Sequence, residues 1–383
     1  MHYAIVNGRV VMPHRILENR VVVVDAGKIV DVADTVPEGA QVIDAKGLLV
    51  APGFIDVHIH GSMGADVMDG TTDAIETIAL AIAQNGTTSF LPTTMTMDKE
   101  SVYQSLEVIR DLQSKVNQYK GAQVLGAHLE GPFINAEYKG AQNEAFIVAP
   151  DDKWIFDFSD VIKLVTYAPE LDLDLAFTKK VKAETDITLS IGHSAATYEQ
   201  AIHAIEWGCS HITHLFNGMA PLHHRAPGII GAALTTNVFT ELIADKIHVD
   251  ESLFQFVLTN KGAERIVLIT DSMRAGCMKE GIYDLGGQKA HVENGSVRLS
   301  DGSLAGSVLT LNQAVHHIYE YTSASLCEAI HMASLNPAKS IGMDATKGSL
   351  EPGKDADIIF LDDDFKCHKT FVKGELVYER QAT

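Results

Sequence analysis

Phe54-Ile55-Asp56-Val57-His58-Ile59-His60 is a short apolar β run that closes on two histidines, with Gly61 after it. In a strand, residues i and i+2 project to the same side, so His58 and His60 present their imidazoles together. Taken alone, the pair also reads as two surface histidines on a β edge. Seven further runs of the same kind recur downstream, at 88–93, 124–130, 161–167, 187–193, 211–215, 239–244 and 266–271. Helical patterns separate most of them. The segment 71–85 opens on a Thr-Thr-Asp cap and carries apolar residues at three-four spacing. Residues 98–115, 197–207, 250–260, 310–321 and 325–332 read as further helices. Eight strands alternating with helices over 54–344 predict an α/β chain built on a (β/α)8 TIM-type barrel. A doubly wound open sheet is the alternative. It wants a Gly-rich phosphate turn after its first strand, where this chain has His-Ile-His-Gly.

Outward from this core, both flanks read as short strands and turns. Residues 3–6, 9–12, 20–25, 28–32 and 41–44 are β-rich, with Asn7-Gly8 and Ala26-Gly27 as hairpin-type turn pairs. Residues 357–361, 369–372 and 375–378, with the turn Lys373-Gly374, look the same. The expectation is a small β-sandwich domain formed by both ends, 1–53 and 345–383, flanking a catalytic barrel domain at 54–344. The segment 279–298 is Gly-rich and reads as a hairpin excursion before the last helices.

Other ligand-type residues fall where the barrel reading places function. Glu130 ends the third run, His193 the fifth, His214 the sixth and Asp271 the eighth. A carboxylate closing an apolar run is costly unless paired or metal-bound. With His58 and His60, six such residues meet at the carboxyl ends of the strands, the face on which barrel enzymes build their sites. Imidazoles and a carboxylate of this kind suit one or two divalent ions, Zn²⁺ or Fe²⁺. A divalent ion there activates water for hydrolysis, and Asp271, with no other acid beside it, can carry the proton. His128 and His211 lie close by and read as packed residues or as supports behind the ligands.

Composition narrows the partners. Lys and Arg number 30 against 50 Asp and Glu, a formal net charge of −20. Such a chain is a poor general binder of nucleic acid or of an anionic membrane surface. Cys209, Cys277, Cys327 and Cys367 show no metal or disulfide spacing, and no apolar stretch reaches membrane-spanning length. These features point to a cytoplasmic protein.

The segment Pro52–Gly61 resembles the opening motif of the amidohydrolase superfamily. Gly348-Ser349-Leu350-Glu351-Pro352-Gly353-Lys354-Asp355-Ala356-Asp357 resembles its carboxyl-terminal signature. His128-Leu129-Glu130-Gly131-Pro132-Phe133 and His214-Leu215-Phe216-Asn217-Gly218-Met219 are more specific. They resemble the family that deacetylates N-acetylglucosamine 6-phosphate. The resemblance covers essentially the whole chain, in order. It implies Glu130, His193 and His214 on a main metal, His58 and His60 on a second, and Asp271 as general acid and base. It implies substrate contacts from Ala141 and Gln142, from Asn217 and Gly218, from Arg225 and His248, and from the loop Leu304-Ala305-Gly306-Ser307. Relatives often have His at 142 and Ala at 218. The implied reaction releases acetate from a phosphorylated amino sugar in amino-sugar catabolism or recycling, by a homodimer. Another amidohydrolase, acting on a related N-acetyl amino sugar or a cyclic amide, is the rival. Arg225 offers a guanidinium fork suited to phosphate.

Overall fold

A computed structural model of the chain describes residues 2–115 and 118–381. Its central element is a ring of parallel strands: β1 Phe54–Ile59, β2 Thr87–Thr94, β3 Ala127–Glu130, β4 Ile162–Tyr167, β5 Thr188–Ile191, β6 Cys209–Ile212, β7 Phe239–Ile243 and β8 Ile266–Ile269. Each pairs with the next in parallel register. The Asp271 N–H donates to the His58 carbonyl at 2.9 Å and the His60 N–H to the Ser272 carbonyl at 2.8 Å, which brings β8 back against β1. The eight strands are those expected from the sequence, and the fold is the TIM-type barrel.

Alternation along β1 sorts its side chains. Ile55, Val57 and Ile59 join the apolar cluster under the surrounding helices. Asp56, His58 and His60 occupy the opposite face. Several of the helices read from the sequence have visible starts. Thr71 accepts from the Ala74 N–H to open Thr72–Ala83, Asp98 accepts from Ser101 to open Lys99–Ser114, and Thr197 and Gln200 form a capping box before Tyr198–Glu206. Four short helices escape that reading. Ala176–Glu184, Gly228–Thr235 and Leu335–Ser340 have no side-chain cap, and Asp152–Phe156 is too short to show a period. The excursion at 279–298 is a three-stranded antiparallel sheet, Gly281–Leu285, Gln288–Glu293 and Ser296–Leu299.

Both ends of the chain share one eight-stranded sheet. Leu49–Pro52 pairs antiparallel with Ile358–Leu361 on one side and parallel with His2–Val11 on the other. The hydrogen bonding runs through a single sheet, and Tyr3, Ile5, Val10, Val22, Phe360 and Phe371 gather into its apolar core. Ala26-Gly27 closes a two-residue hairpin between Asp25 and Lys28 with both φ angles positive, as expected. Asn7-Gly8 does not turn the chain. It sits inside the strand His2–Val11 as a register shift, where a Cβ on Gly8 would lie 2.4 Å from Val50. Close approach, not reversal, is what that glycine supplies.

Buried Lys347 ties the end sheet to the barrel. Its Nζ lies 2.7 Å from Asp357, 2.9 Å from Asp355 and 2.7 Å from the Gln123 side chain, which lies beside β2. Among the described residues no helix is long and apolar enough to cross a membrane. Replacing Lys347 by Ala leaves buried Asp357 without a cation, while Asp355 keeps Lys28 at 2.7 Å, and is expected to cost about 3 kcal/mol of stability, read as a lower urea midpoint at unchanged slope.

Candidate active site

The barrel mouth is lined by the side chains that leave the strand ends. Glu130 is the last residue of β3, and His60 stands one residue past β1. His193, His214 and Asp271 each stand two residues beyond β5, β6 and β8. All three hold positive φ, at 46°, 28° and 48°. That region costs a non-glycine residue on the order of 1–3 kcal/mol and persists only where the surroundings fix it. The fixing bonds are present: the His214 N–H donates to Glu241 at 3.0 Å, and the Asp271 N–H to His58 as above.

The Glu130 carboxylate lies between two groups of histidines. Its Oε1 is 3.1 Å from the Nε2 atoms of His193 and His214, which are 3.1 Å from each other. Its Oε2 is 3.1 Å from His60 Nε2, and Oε1 is 3.3 Å from His58 Nε2. Asp271 Oδ1 lies 3.2 Å from His60 Nε2 and 3.6 Å from His58 Nε2. Two donor triads meet at the pocket, His58–His60–Asp271 and Glu130–His193–His214, and a third, His58–His128–Glu241, lies beneath them.

Hydrogen bonding on the far side of each ring fixes what faces inward. Nδ1–H of His193 donates to the Tyr138 carbonyl, that of His214 to Asn217, and that of His60 to Thr93, at 2.8, 3.0 and 3.1 Å. Nδ1–H of His58 donates to Glu241 at 2.9 Å. All four rings therefore turn an Nε2 lone pair toward Glu130 and Asp271. Lone pairs facing carboxylates repel unless a cation stands among them. His58 Nε2, fully buried, has no hydrogen-bond partner among the described residues. Ligands about 2.0–2.1 Å from a tetrahedral ion lie about 3.3 Å apart, close to the 3.1 Å triangle formed here. The residues present thus fit a divalent metal.

The carboxylates call for positive charge at this point, and protonated imidazoles supply it where no ion does. Burial alone lowers the pKa of His60, but Asp271 and Glu130 outweigh it and carry it to about 10. Burial raises Glu130, yet His58, His193 and His214 hold it well below the carboxylate range. Asp271 is also held low, with His60 overcoming its burial. His128 goes the other way: burial and neighbouring His58 push it down to about 3, so it stays neutral.

The pocket above these groups has a volume of about 210 Å³. Of the residues the resemblance implies for substrate, Ala141, Gln142, Asn217, Gly218, His248, Leu304 and Gly306 line it. Gln142 donates to Glu130 Oε2 at 2.9 Å and accepts from the Thr96 N–H at 2.7 Å, so its side chain is committed to the carboxylate. Ala305 and Ser307 face away from the pocket. Ala305 packs under the excursion sheet, and Ser307 donates its N–H to the Asp271 carbonyl at 2.7 Å. Gly306 lets that loop pass Asp271: its φ is +65°, and a Cβ would lie 2.9 Å from the Asp271 oxygen. Arg225 does not line the pocket. It stands on the exposed loop after Gly218, its guanidinium 2.7 Å from His224.

Sequence reasoning missed Met95, Leu285 and Ser303 in the lining, and the polar floor beneath it. There His128 Nε2, Thr166, Thr213 and Ser190 form a chain of contacts at 2.7, 2.7 and 2.6 Å. Glu241 lies in the same layer. The signal was available: Glu241 is a lone carboxylate inside an apolar run, the argument already applied to Glu130.

A TIM-type barrel whose strand ends converge imidazoles and carboxylates on one pocket defines a metal-dependent hydrolase. Residues 49–377 match the model of the amidohydrolase family. An N-acetylglucosamine-6-phosphate deacetylase of Bacillus subtilis (strain 168) is 37% identical over 378 residues, 96% of this chain and 95% of its own. An N-acetylgalactosamine-6-phosphate deacetylase of Escherichia coli O157:H7 is 38% identical over 345 residues, 89% of this chain and 90% of its own. The solved N-acetylglucosamine-6-phosphate deacetylase of Pasteurella multocida matches with a TM-score of 0.93 at 32% identity, covering 99% of this chain and 100% of its own. The chain belongs to the amidohydrolase family, and within it to the hexosamine-phosphate deacetylases these relatives represent.

His248 reaches the pocket with its Nδ1 2.7 Å from Asp245. Burial opposes its charge, but Asp245 outweighs burial and raises its pKa. His248 therefore keeps its proton to higher pH than a free histidine. Asp245→Asn is expected to move that titration down, measured by NMR on histidine-labelled protein.

Proposed function

We propose that this chain hydrolyses the acetamido group of N-acetyl-D-glucosamine 6-phosphate, giving D-glucosamine 6-phosphate and acetate, in amino-sugar catabolism or recycling. The observation that carries the reading is the pair of donor triads joined through Glu130, with Asp271 facing the pocket above them. In this reading Glu130, His193 and His214 hold the main ion, and His58 and His60 hold a second. Zn²⁺ and Fe²⁺ suit these nitrogen and oxygen donors. When bound, the metal supplies an activated water and polarises the acetyl carbonyl.

The protein's own groups do the rest. Asp271 is ionised and lies at the pocket wall, so it takes the proton from the attacking water and returns it to the departing amine. Gln142 holds Glu130 from the loop side. Ala141, Asn217, Gly218, Leu304 and Gly306 shape the sugar subsite, with Ala305 and Ser307 supporting their loop. His248, whose proton Asp245 holds to higher pH, meets a hydroxyl or phosphate oxygen. Arg225 supplies the phosphate cation from the exposed loop after Gly218, and a guanidinium fork suits that anion. Against a net charge of −20, positive potential has to be made locally.

Residues 54–344 form the catalytic domain in this reading, and 1–53 with 345–383 the flanking β domain. The protein works in the cytoplasm, consistent with four unpaired cysteines, and as a homodimer, on the strength of the family resemblance.

The test is acetate release across the 6-phosphates of N-acetylglucosamine and N-acetylgalactosamine and plain N-acetylglucosamine. The glucosamine phosphate is expected to show the highest kcat/KM. Arg225→Ala is expected to raise KM about 10–100-fold for the phosphorylated sugars and to leave the plain sugar unchanged. Equal effects on all three remove the phosphate assignment, and preference for the galactosamine phosphate shifts the substrate to that epimer. Asp271→Asn is expected to keep its metal and lose about 10²–10⁴ in kcat, and near-normal turnover overturns its role.

A further inference from the structure

Glu241, on β7, is fully buried beneath the site. Its Oε2 accepts two hydrogen bonds, from Nδ1–H of His58 at 2.9 Å and from the backbone N–H of His214 at 3.0 Å. Its Oε1 lies 3.2 Å from Nε2 of buried His211. One carboxylate therefore braces a histidine from each donor triad. The other three ligand histidines give their ring N–H to a neutral backbone carbonyl; His58 alone gives it to a carboxylate. An anion behind an imidazole fixes the tautomer, orients the ring and strengthens its lone pair more than a carbonyl does. His58 is also the ring with no hydrogen-bond partner for its inward nitrogen among the described residues, so that nitrogen is left for an ion.

We propose that Glu241 is a positioning residue for the metal pair, acting through the His58 ring to set occupancy of the His58–His60 position and through the His214 backbone to steady the other. This inference rests on the metal-site reading above. Glu241 touches neither substrate nor reacting atoms, and it lies below the pocket rather than in its lining.

The experiment is Co²⁺ titration of chelator-stripped protein, followed by visible absorption with chelator competition, for wild type, Glu241→Gln and Glu241→Asp. The wild type is expected to bind in two steps. In Glu241→Gln, which keeps the size and loses the charge, the step assigned to the His58 position is expected to weaken about 10–100-fold. The step at Glu130, His193 and His214 is expected to change far less. Far-UV circular dichroism selects folded variants. If Glu241→Gln fails to fold, Glu241→Asp, which keeps the charge at shorter reach, is expected to show the same selective loss. A folded variant with wild-type affinity at both steps overturns the proposal, as does equal loss at both. A wild type that binds no Co²⁺ at all overturns the metal reading itself, and this inference with it.

Discussion

A buried carboxylate needs a compensating positive charge or a full set of donors, and this barrel buries Glu130 and Asp271 at its mouth and Glu241 in the layer beneath them. Glu241 accepts hydrogen bonds on Oε2 from His58 and His214 and turns Oε1 toward His211. Glu130 and Asp271 instead face the lone pairs of four imidazoles. Each imidazole is locked in that orientation by a bond on its outer nitrogen, so the rings cannot relieve the strain by turning. The site is built around a positive charge, and the backbone geometry of His193, His214 and Asp271 serves the same end.

The barrel makes this arrangement stable because it separates the two tasks of each strand. Outward residues such as Ile55, Val57 and Ile59 enter the apolar layer under the helices, while the inward face carries polar groups that answer one another. The hydroxyls of Thr166, Thr213 and Ser190 and the neutral ring of His128 form a floor in which the polar groups pair with each other. Such a floor holds the ligands without competing for the metal, since His128 stays uncharged and has both ring nitrogens occupied.

Much of this was legible in the sequence, for physical reasons. Strand ends mark themselves when an apolar run closes on a costly polar residue, and that rule found His58, His60, Glu130, His193, His214 and Asp271. The same rule applied to run interiors reaches Glu241; applied only at run ends, it does not. Thr72–Ala83, Lys99–Ser114 and Tyr198–Glu206 announce themselves by a capping residue, whereas Ala176–Glu184 and Gly228–Thr235 lack one and exist through packing. Asn7-Gly8 has the composition of a turn and the role of a bulge, because a neighbouring strand decides what a glycine is for. The substrate loops were reachable only by resemblance, and Arg225, exposed on its loop, shows how little local sequence says about where a long side chain ends.

The sheet shared by both ends carries a consequence for how the chain comes to be folded. Leu49–Pro52 waits for Ile358–Leu361, a partner roughly 300 residues away, and long-range pairing of this kind is slow. During synthesis the first strands leave the ribosome long before their neighbours exist. Until Lys347 and the strands after it emerge, the early strands expose an unpaired edge, the form in which β segments meet the wrong partner. The barrel strands lie between these two partners in sequence, so their pairing closes around a barrel that is made before it.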